Sequence, residues 1–254
     1  MKVTILQRNI EWANPSLKVA RADEALAGLP DADLFVWPEM FSTGFCTQPE
    51  GIAENADSNT LQWMKRKAVE RNCAMAGSVA VCEEGKYYNR FYFVTPDGSV
   101  RHYDKKHLFT YGGEHERFIA GTERVVVDFR GVRILLAVCY DLRFPVWARN
   151  KGDYDMILYV ANWPTPRIEA WSTLLRARAI ENQCYVAGVN RVGNDPYCDY
   201  SGGSVIIDPH GKTLSECPWN TESVATAEID MEALEKFRKK FPVLGDADPF
   251  TLNK

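Results

Sequence analysis

Residues 134–147 read ILLAVCYDLRFPVW, an apolar run that stops on a thiol. Ile134 to Val138 has the character of a buried strand, and Cys139 follows at its end, directly before a polar, aromatic and charged cluster. A cysteine at this place can be an ordinary core residue, because it is small and apolar. It can equally be a nucleophile, because functional sites of α/β proteins gather at strand ends.

Strand and helix patterns alternate on both sides of this segment. Three pairs of strands flank tight turns, at TPDGS (95–99), at RG (130–131) and at DPHG (208–211), which predicts hairpins and therefore mixed sheets. Helices are predicted at 15–29, 60–71, 167–182 and 231–240. Strands are predicted at 3–10, 34–37, 73–81, 87–94, 100–103, 124–129, 132–138, 156–161, 184–190, 203–208, 212–217 and 224–229. Two stacked sheets, each covered by helices, accommodate this count.

The chain has 254 residues, of which 46% are hydrophobic and 25% are charged, as in ordinary globular proteins. We find no internal linker, so residues 1–254 are expected to form one domain. Its last stretch, from about residue 241, is rich in Pro, Gly and Asp and is expected to be an extended tail. The glycine-rich motifs GxGxxG and GxxxxGK[ST] are missing, which argues against nucleotide binding.

Charge and hydropathy exclude several classes of partner. The formal net charge is −4 and no run of Lys or Arg occurs, so neither nucleic acid nor an anionic membrane surface is an expected partner. No apolar run reaches the roughly 18 residues that span a bilayer, and the N-terminus reads as a strand rather than a signal peptide. We therefore expect a soluble, cytoplasmic protein.

The seven cysteines and four histidines show neither a CxxC pair nor zinc-ligand spacing, so no metal is expected. A disulfide framework is not expected in a chain of this length without a secretion signal. Six of the cysteines are predicted to be reduced packing residues: Cys46, Cys73, Cys82, Cys184, Cys198 and Cys217.

Charged residues directly follow two further predicted strands. Glu39 comes after LFVWP, and Lys105 and Lys106 come after HYD. A thiol with a pKa of about 8.5 is mostly protonated at neutral pH, and a carboxylate can accept its proton. An ammonium lowers a thiol pKa and can face the oxyanion that forms on acyl attack. Together with Cys139, these groups suffice for acyl transfer from an amide or a nitrile, although each alone could be a core thiol, a solvated lysine or a helix cap.

The sequence around these residues resembles the nitrilase (carbon–nitrogen hydrolase) superfamily. WPEMFSTGF (37–45), YDKKHLF (103–109) and CYDLRFP (139–145) resemble, in that order, the three signature blocks that carry the catalytic Glu, Lys and Cys of that family. EHERFIAG (114–121) resembles the segment with an accessory glutamate. ANWP (161–164) and ARAIENQCYVAGVNRVG (177–193) resemble the segments that follow the cysteine, so the resemblance covers nearly the whole chain.

This resemblance implies a four-layer αββα sandwich of two mixed sheets. It also implies a homodimer in which sheets and helices continue across the interface and the C-terminal tail crosses to the partner. The implied catalytic residues are Glu39, Lys105, Cys139 and the accessory Glu114, with no metal or organic cofactor. The family pattern K-x-H-L-F selects Lys105 over Lys106, which is then a solvated charge, and leaves His107 to orient the loop.

Within the superfamily, the blocks look most like the omega-amidase branch. That branch hydrolyses the terminal amide of 2-oxo acids such as 2-oxoglutaramate and 2-oxosuccinamate. An N-carbamoyl-amino-acid amidohydrolase, another aliphatic amidase or a nitrilase is the alternative, and a non-catalytic interaction protein is a third. The implied mechanism uses Glu39 as base, forms a thioester on Cys139, and holds the oxyanion with Lys105 and the backbone N–H of Tyr140.

The far carboxylate of such a substrate needs a cation. Arg143 is the first candidate, because arginine binds carboxylates through two parallel hydrogen bonds, and Arg167 is the second. Arg143 could instead pair with Asp141 or cap a loop. The pocket is expected to be lined by Phe45, Asn162 and Trp163, of which the tryptophan could equally be a core residue.

Overall fold

The computed structural model describes residues 1–13 and 18–251. Its strands are β1 (Lys2–Gln7), β2 (Leu34–Val36), β3 (Glu54–Asn55), β4 (Ala74–Glu83), β5 (Lys86–Val94), β6 (Val100–Asp104), β7 (Val126–Phe129), β8 (Val132–Val138), β9 (Met156–Ala161), β10 (Tyr185–Asn190), β11 (Val192–Asn194), β12 (Asp199–Ser201), β13 (Val205–Ile207), β14 (Thr213–Glu216) and β15 (Ser223–Glu228). Its α-helices are α1 (Lys18–Leu26), α2 (Asn59–Glu70), α3 (Pro145–Ala148), α4 (Ile168–Glu181) and α5 (Met231–Lys240).

Most of these strands form two large mixed sheets. The first has the order β15-β1-β2-β4-β5-β6, with β3 paired to β4, and the second has the order β14-β13-β10-β9-β8-β7. Strands β1, β2 and β4 run parallel, as do β8, β9 and β10, whereas the three predicted hairpins are antiparallel pairs. The prediction of mixed sheets is confirmed.

The alternation along β8 shows how the layers stack. Ile134, Leu136 and Val138 pack between the two sheets, in a core to which both contribute, while Leu135 and Ala137 face the opposite side. Because successive strand residues point to opposite faces, one continuous apolar strand supplies two separate cores.

Helices cover the outer face of each sheet. Trp63 and Met64 of α2 pack with Trp37 on the first sheet, and Trp171 and Leu175 of α4 pack on the second. Helix α2 begins at a cap, where the Ser58 hydroxyl accepts a hydrogen bond of 3.1 Å from the backbone of Leu61. The result is the αββα sandwich that the sequence predicted.

The structure corrects the predicted elements in several places. Strands β3, β11 and β12 and the single-turn helix α3 were not predicted. The three strands read EN, VGN and DYS and contain no apolar run, and one turn of helix is too short to show a period. The start of the predicted helix 15–29 lies outside the described residues, and its described part ends at Leu26. The predicted extended tail contains a 3-10 turn at Val243–Asp246. None of the described helices combines the length and apolar character needed to cross a membrane.

The topology brings four strand ends to one place. Strands β2 and β6 run in the same direction in the first sheet, because β6 is reached from β4 through two antiparallel pairings. Strands β8 and β9 are parallel in the second sheet. The segments that follow these strands carry Glu39, Lys105, Cys139 and Asn162.

Candidate active site

A buried ion cluster occupies the point where these strand ends meet. The Nζ atom of Lys105 lies 3.0 Å from Oε1 of Glu39 and 2.8 Å from Oε2 of Glu114, and all three side chains are fully buried. Burial by itself disfavours the ammonium, but the two carboxylates outweigh it and raise the pKa of Lys105. The lysine is therefore charged at neutral pH.

Glu114 is held from three sides. The Phe109 backbone N–H donates to its Oε2 at 2.7 Å, and the Nδ2 atom of Asn89 donates to its Oε1 at 3.1 Å. Burial raises the pKa of Glu114, and the nearby carboxylate of Glu39 adds to this effect while Lys105 opposes it. These contacts make Glu114 a fixed counter-charge for the lysine.

Asn89 joins the two glutamates, and the sequence reasoning missed it. Its Nδ2 also donates to Oε1 of Glu39 at 2.8 Å, and its Oδ1 accepts from the Ser78 hydroxyl at 2.9 Å. The same hydroxyl accepts from the backbone of Met40 at 2.8 Å, next to Glu39. A signal was present, because asparagine is depleted in strands and this one interrupts the aromatic strand KYYNRFYFV.

Cys139 begins a tight turn at the end of β8. Its φ is +44°, in the left-handed region that non-glycine residues seldom occupy and that often marks functional sites. Asp141 fixes the turn, since its carboxylate accepts from the Val138 backbone and the Tyr103 hydroxyl, both at 2.8 Å, and from the His107 backbone at 3.0 Å. The thiol is thereby held at the head of the turn.

The thiol lies beside the ion cluster. Burial raises the pKa of Cys139 well above its ordinary value, and Glu39 raises it further, whereas the Lys105 ammonium lowers it. The Sγ atom lies 4.0 Å from the carbonyl oxygen of Asn162. The resting thiol is therefore protonated at neutral pH and needs a base to become a nucleophile.

Asn162 orients the carboxylate of Glu39 toward this thiol. The backbone N–H of Asn162 donates to Oε2 of Glu39 at 2.8 Å, and its side-chain Nδ2 donates to the Glu39 carbonyl oxygen at 2.7 Å. Lys105 and Asn89 donate to Oε1 of Glu39 and Asn162 donates to Oε2, so the plane of the carboxylate is fixed.

A cavity of about 560 Å³ opens onto Cys139 and Lys105. The structure places on its wall all of the residues that were predicted to bind substrate: Phe45, Tyr140, Arg143, Asn162, Trp163 and Arg167. Their roles stay predictions. The sequence reasoning did not find further wall residues, among them Phe109, Tyr111, Asp195, Tyr197, Cys198 and Tyr200.

The two predicted carboxylate-binding arginines both rest on aromatic rings of this cavity. The guanidinium carbon of Arg143 lies 5.0 Å from the Trp163 ring centroid, and that of Arg167 lies 5.4 Å from the Phe109 ring centroid. Asp141 is occupied by the donors named above, so the alternative in which it pairs with Arg143 is not the arrangement found. Trp163 belongs to the core of the second sheet as well as to the cavity wall.

The loop after Lys105 differs in part from expectation. The Nδ1 atom of His107 lies 2.7 Å from Oδ1 of Asp141, and its ring stacks on Phe144 at a centroid distance of 3.8 Å. These contacts fit the predicted role of His107 in orienting the loop. Lys106 was predicted to be solvated, but it is half-buried and its Nζ lies 5.7 Å from the Trp147 ring centroid. The aliphatic stem of lysine readily packs in this way.

The cysteine predictions also need one correction. Cys73, Cys184 and Cys217 are buried in apolar cores, and burial raises the pKa of Cys73 and of Cys217 to about 11. Cys198, in contrast, lies on the wall of the cavity that opens onto Cys139. Within residues 1–13 and 18–251, no three His, Cys, Asp or Glu side chains are grouped as metal ligands.

Known proteins resemble this chain in sequence and in fold. The family model described as carbon-nitrogen hydrolase matches residues 2–239. Omega-amidase YafV of Escherichia coli (strain K12) is 46% identical over 253 residues, which cover 99% of this chain and 98% of that protein. The 2-oxoglutaramate amidase of Bacillus subtilis is 36% identical over 255 residues, which cover 97% and 98% of the two chains.

Among solved structures, the CN-hydrolase superfamily protein XC1258 of Xanthomonas campestris has a TM-score of 0.95 and 42% sequence identity. The match covers 100% of this chain and 99% of that protein. That protein carries an arsenic adduct in its active site. Nit3 of Saccharomyces cerevisiae has the same fold, with a TM-score of 0.83 at 24% identity. With this fold, this buried cluster and a family match over almost its full length, the chain belongs to the carbon–nitrogen hydrolase family.

Proposed function

We propose that this chain is an amidase that hydrolyses the terminal amide of small 2-oxo dicarboxylic acid monoamides, 2-oxoglutaramate and 2-oxosuccinamate, to the acid and ammonia. One observation carries the proposal. A buried cluster of Glu39, Lys105 and Glu114 lies beside Cys139, in a cavity whose wall presents Arg143 and Arg167. The first group supplies acyl-transfer chemistry, and the two arginines supply recognition of an acid.

Acylation begins with transfer of the thiol proton from Cys139 to Glu39. The resulting thiolate attacks the amide carbonyl carbon, and a C–S bond forms as the carbonyl π electrons move to oxygen. Lys105 and the backbone N–H of Tyr140 face this oxyanion. The loss of one such donor typically raises the barrier by about 2.7–4 kcal/mol.

Collapse of the tetrahedral species breaks the C–N bond. Glu39 returns its proton to the leaving nitrogen, ammonia departs, and the acyl group remains on Cys139 as a thioester. Glu39 then takes a proton from a water molecule, whose oxygen attacks the thioester carbonyl. The C–S bond of the second tetrahedral species then breaks, the acid leaves, and Glu39 returns the proton to the sulfur of Cys139. One water is therefore consumed for each ammonia formed.

Three fixed groups prepare Glu39 for these proton transfers. Asn89 and Lys105 bind one carboxylate oxygen and Asn162 binds the other, so the carboxylate does not rotate between the steps. Glu114 supplies the second negative charge and holds the lysine in place. Such preorganisation removes most of the reorganisation cost from the barrier.

The choice of substrate class rests on the cavity and on relatives. The two guanidinium groups that line the cavity suit the carboxylate of a dicarboxylic acid monoamide, because arginine pairs with carboxylates in bidentate fashion. The Escherichia coli and Bacillus subtilis relatives are named for omega-amidase and 2-oxoglutaramate amidase activity. N-carbamoyl amino acids, which also carry a carboxylate and a terminal amide, are the alternative.

The direct test is an ammonia-release assay. It compares kcat/KM for 2-oxoglutaramate, 2-oxosuccinamate, glutamine, an N-carbamoyl amino acid and a simple nitrile. We expect the 2-oxo amides to be turned over fastest, and faster turnover of the carbamoyl compound would contradict the substrate assignment.

The Cys139→Ala protein should release no ammonia. Cys82→Ala is its matched control, because Cys82 is half-buried on β4 and does not line the cavity. Near wild-type turnover by Cys139→Ala would rule out the thioester mechanism.

We further propose a cytoplasmic homodimer that uses the helical face of the second sheet. Val146 on α3, Ile180 on α4 and Phe241 after α5 are apolar side chains that are each more than half exposed and that a dimer interface would cover. A hydrogen bond from the Gln183 side chain to the Phe241 carbonyl oxygen joins the segment after α4 to the segment after α5. Sedimentation should give a dimer for the wild type and a monomer for Val146→Glu combined with Ile180→Glu.

A further inference from the structure

Arg191 is a fully buried arginine at the start of the β11–β12 hairpin, behind the catalytic cavity. Its hydrogen-bond partners in the described part of the chain are all neutral oxygens: Asn9 Oδ1 at 3.1 Å, Ile10 O at 2.8 Å, Asn194 O at 3.1 Å and Val192 O at 3.2 Å. A buried cation without a directly bonded carboxylate is costly, so a fold that keeps one needs a reason.

The nearest link from this charge to the cavity runs through Tyr200. The guanidinium carbon of Arg191 lies 4.5 Å from the Tyr200 ring centroid, and the Tyr200 hydroxyl donates to Oδ2 of Asp195 at 2.6 Å. Tyr200 and Asp195 both line the catalytic cavity. A cation over the face of a phenol ring draws electron density from its hydroxyl, which strengthens the hydrogen bond to Asp195.

Asp195 in turn organises the hairpin tip. Its Oδ1 accepts from the backbone N–H groups of Tyr197 and Cys198, both at 2.8 Å, and both of these residues lie on the cavity wall. A carboxylate at this place is unexpected next to a binding site for an anionic substrate, because like charges repel. The charge of Arg191 behind the wall offsets that of Asp195.

Arg191 also lies close to the segment that carries Phe45. Its Nη1 has no hydrogen-bond partner among the described residues, and a Cβ built on Gly44 would lie 3.6 Å from it. Gly44 has a φ of +69° and precedes Phe45, whose ring centroid is 5.2 Å from the catalytic lysine's Nζ. One guanidinium therefore sits between the hairpin and the segment that carries Phe45.

We propose that Arg191 is a positioning residue that fixes the β11–β12 hairpin as a wall of the catalytic cavity and offsets the charge of Asp195, so that anionic amides are preferred over neutral ones. This inference rests on the proposed function, because it concerns the preference of the same cavity. It assigns the preference to a charge that never touches substrate, in addition to the arginines on the wall.

The test compares two substrates that differ in one charge. The kcat/KM ratio of 2-oxoglutaramate to its methyl ester, both followed by ammonia release, is independent of the fraction of folded enzyme. We expect Arg191→Gln to lower this ratio about tenfold, the size expected for unit charges roughly 10 Å apart at an effective dielectric constant of about 20. Arg191→Lys keeps the charge and should keep the ratio within about threefold.

Two further variants separate charge from structure. Asp195→Asn in the Arg191→Gln background should restore most of the ratio, because it removes the charge left without a counter-charge. Arg238→Gln is the matched control, since Arg238 is a mostly buried arginine that bonds Asp155 and the backbone carbonyls of Tyr154 and Gln183, at the ends of β9 and β10 that lie away from Arg191. It should change stability and leave the ratio unchanged.

A binding measurement makes the inference independent of turnover. The dianion 2-oxoglutarate should bind Cys139→Ala protein about tenfold more weakly when Arg191→Gln is added, by calorimetry. An unchanged ratio and unchanged binding in Arg191→Gln, or an equal loss in Arg191→Lys, would overturn the inference. A wild-type enzyme that turns over neither compound would contradict the proposed function, while the binding comparison would still decide the role of Arg191.

Discussion

Replacing Asn89 by leucine tests whether the glutamates work as one prepared unit. The two side chains have nearly the same shape, so the change removes hydrogen bonds without opening a large cavity. The Nδ2 atom of Asn89 donates to Glu39 at 2.8 Å and to Glu114 at 3.1 Å, and its Oδ1 accepts from Ser78. The substitution therefore leaves two buried carboxylates and a hydroxyl each without one partner.

The magnitude follows from the kind of bond lost. A hydrogen bond to a charged group contributes about 1.5–3 kcal/mol and a neutral one about 0.5–1.5 kcal/mol. The full sum is an upper limit, because the three groups share Lys105 and relax together. We expect a loss of roughly 3–5 kcal/mol in the free energy of unfolding and a fall in kcat/KM on the order of 100-fold.

The assay combines ammonia release with denaturant unfolding, and kcat/KM is normalised to the number of reactive thiols. Asn150→Leu is the matched control. Asn150 is also a buried asparagine, and its Nδ2 donates to the carbonyl oxygens of Tyr154 and Asn182, both at 3.0 Å, away from the cavity. If Asn89→Leu retained activity within threefold of wild type, or if Asn150→Leu lost as much activity per folded molecule, the reasoning would fail.

Three further predictions concern the charges and the thiol. Lys105→Met should cost about 3–5 kcal/mol of stability, because two buried carboxylates lose their cation. It should also reduce kcat by more than about 100-fold. Activity within tenfold of wild type would show that Lys105 does not stabilise the oxyanion. Burial raises the pKa of Cys139, so the rate of alkylation by iodoacetamide should still be rising at pH 9. If the alkylation rate reached a plateau below pH 8, Cys139 would already be a thiolate at neutral pH and would not need Glu39 as a base. Arg143→Gln should raise KM for 2-oxoglutaramate about tenfold and leave kcat nearly unchanged, since an exposed guanidinium contributes less than a buried one. An unchanged KM would show that Arg143 does not bind the substrate carboxylate and would favour Arg167 for that role.

Local sequence patterns were sufficient for the framework. The apolar run from Ile134 to Val138 predicted a strand, and the short turn at residues 130–131 predicted its antiparallel partner, which the structure confirms. These features depend on neighbours along the chain, on turn geometry and on burial of alternate side chains. The three signature segments identified the family through their resemblance to its signature blocks, and the family match over residues 2–239 confirms it.

Tertiary structure alone decided which polar side chains cooperate. Lys105 bonds a glutamate 66 residues away, and Asn162 bonds the same glutamate across 123 residues. Asn89 lies inside a strand and carries no local sign of two carboxylate partners. Arg191 and Asp195 are four residues apart, yet they are connected through the ring of Tyr200 and not directly. Such contacts depend on the direction and order of strands in two sheets, which follow from packing of the whole chain and not from any one segment.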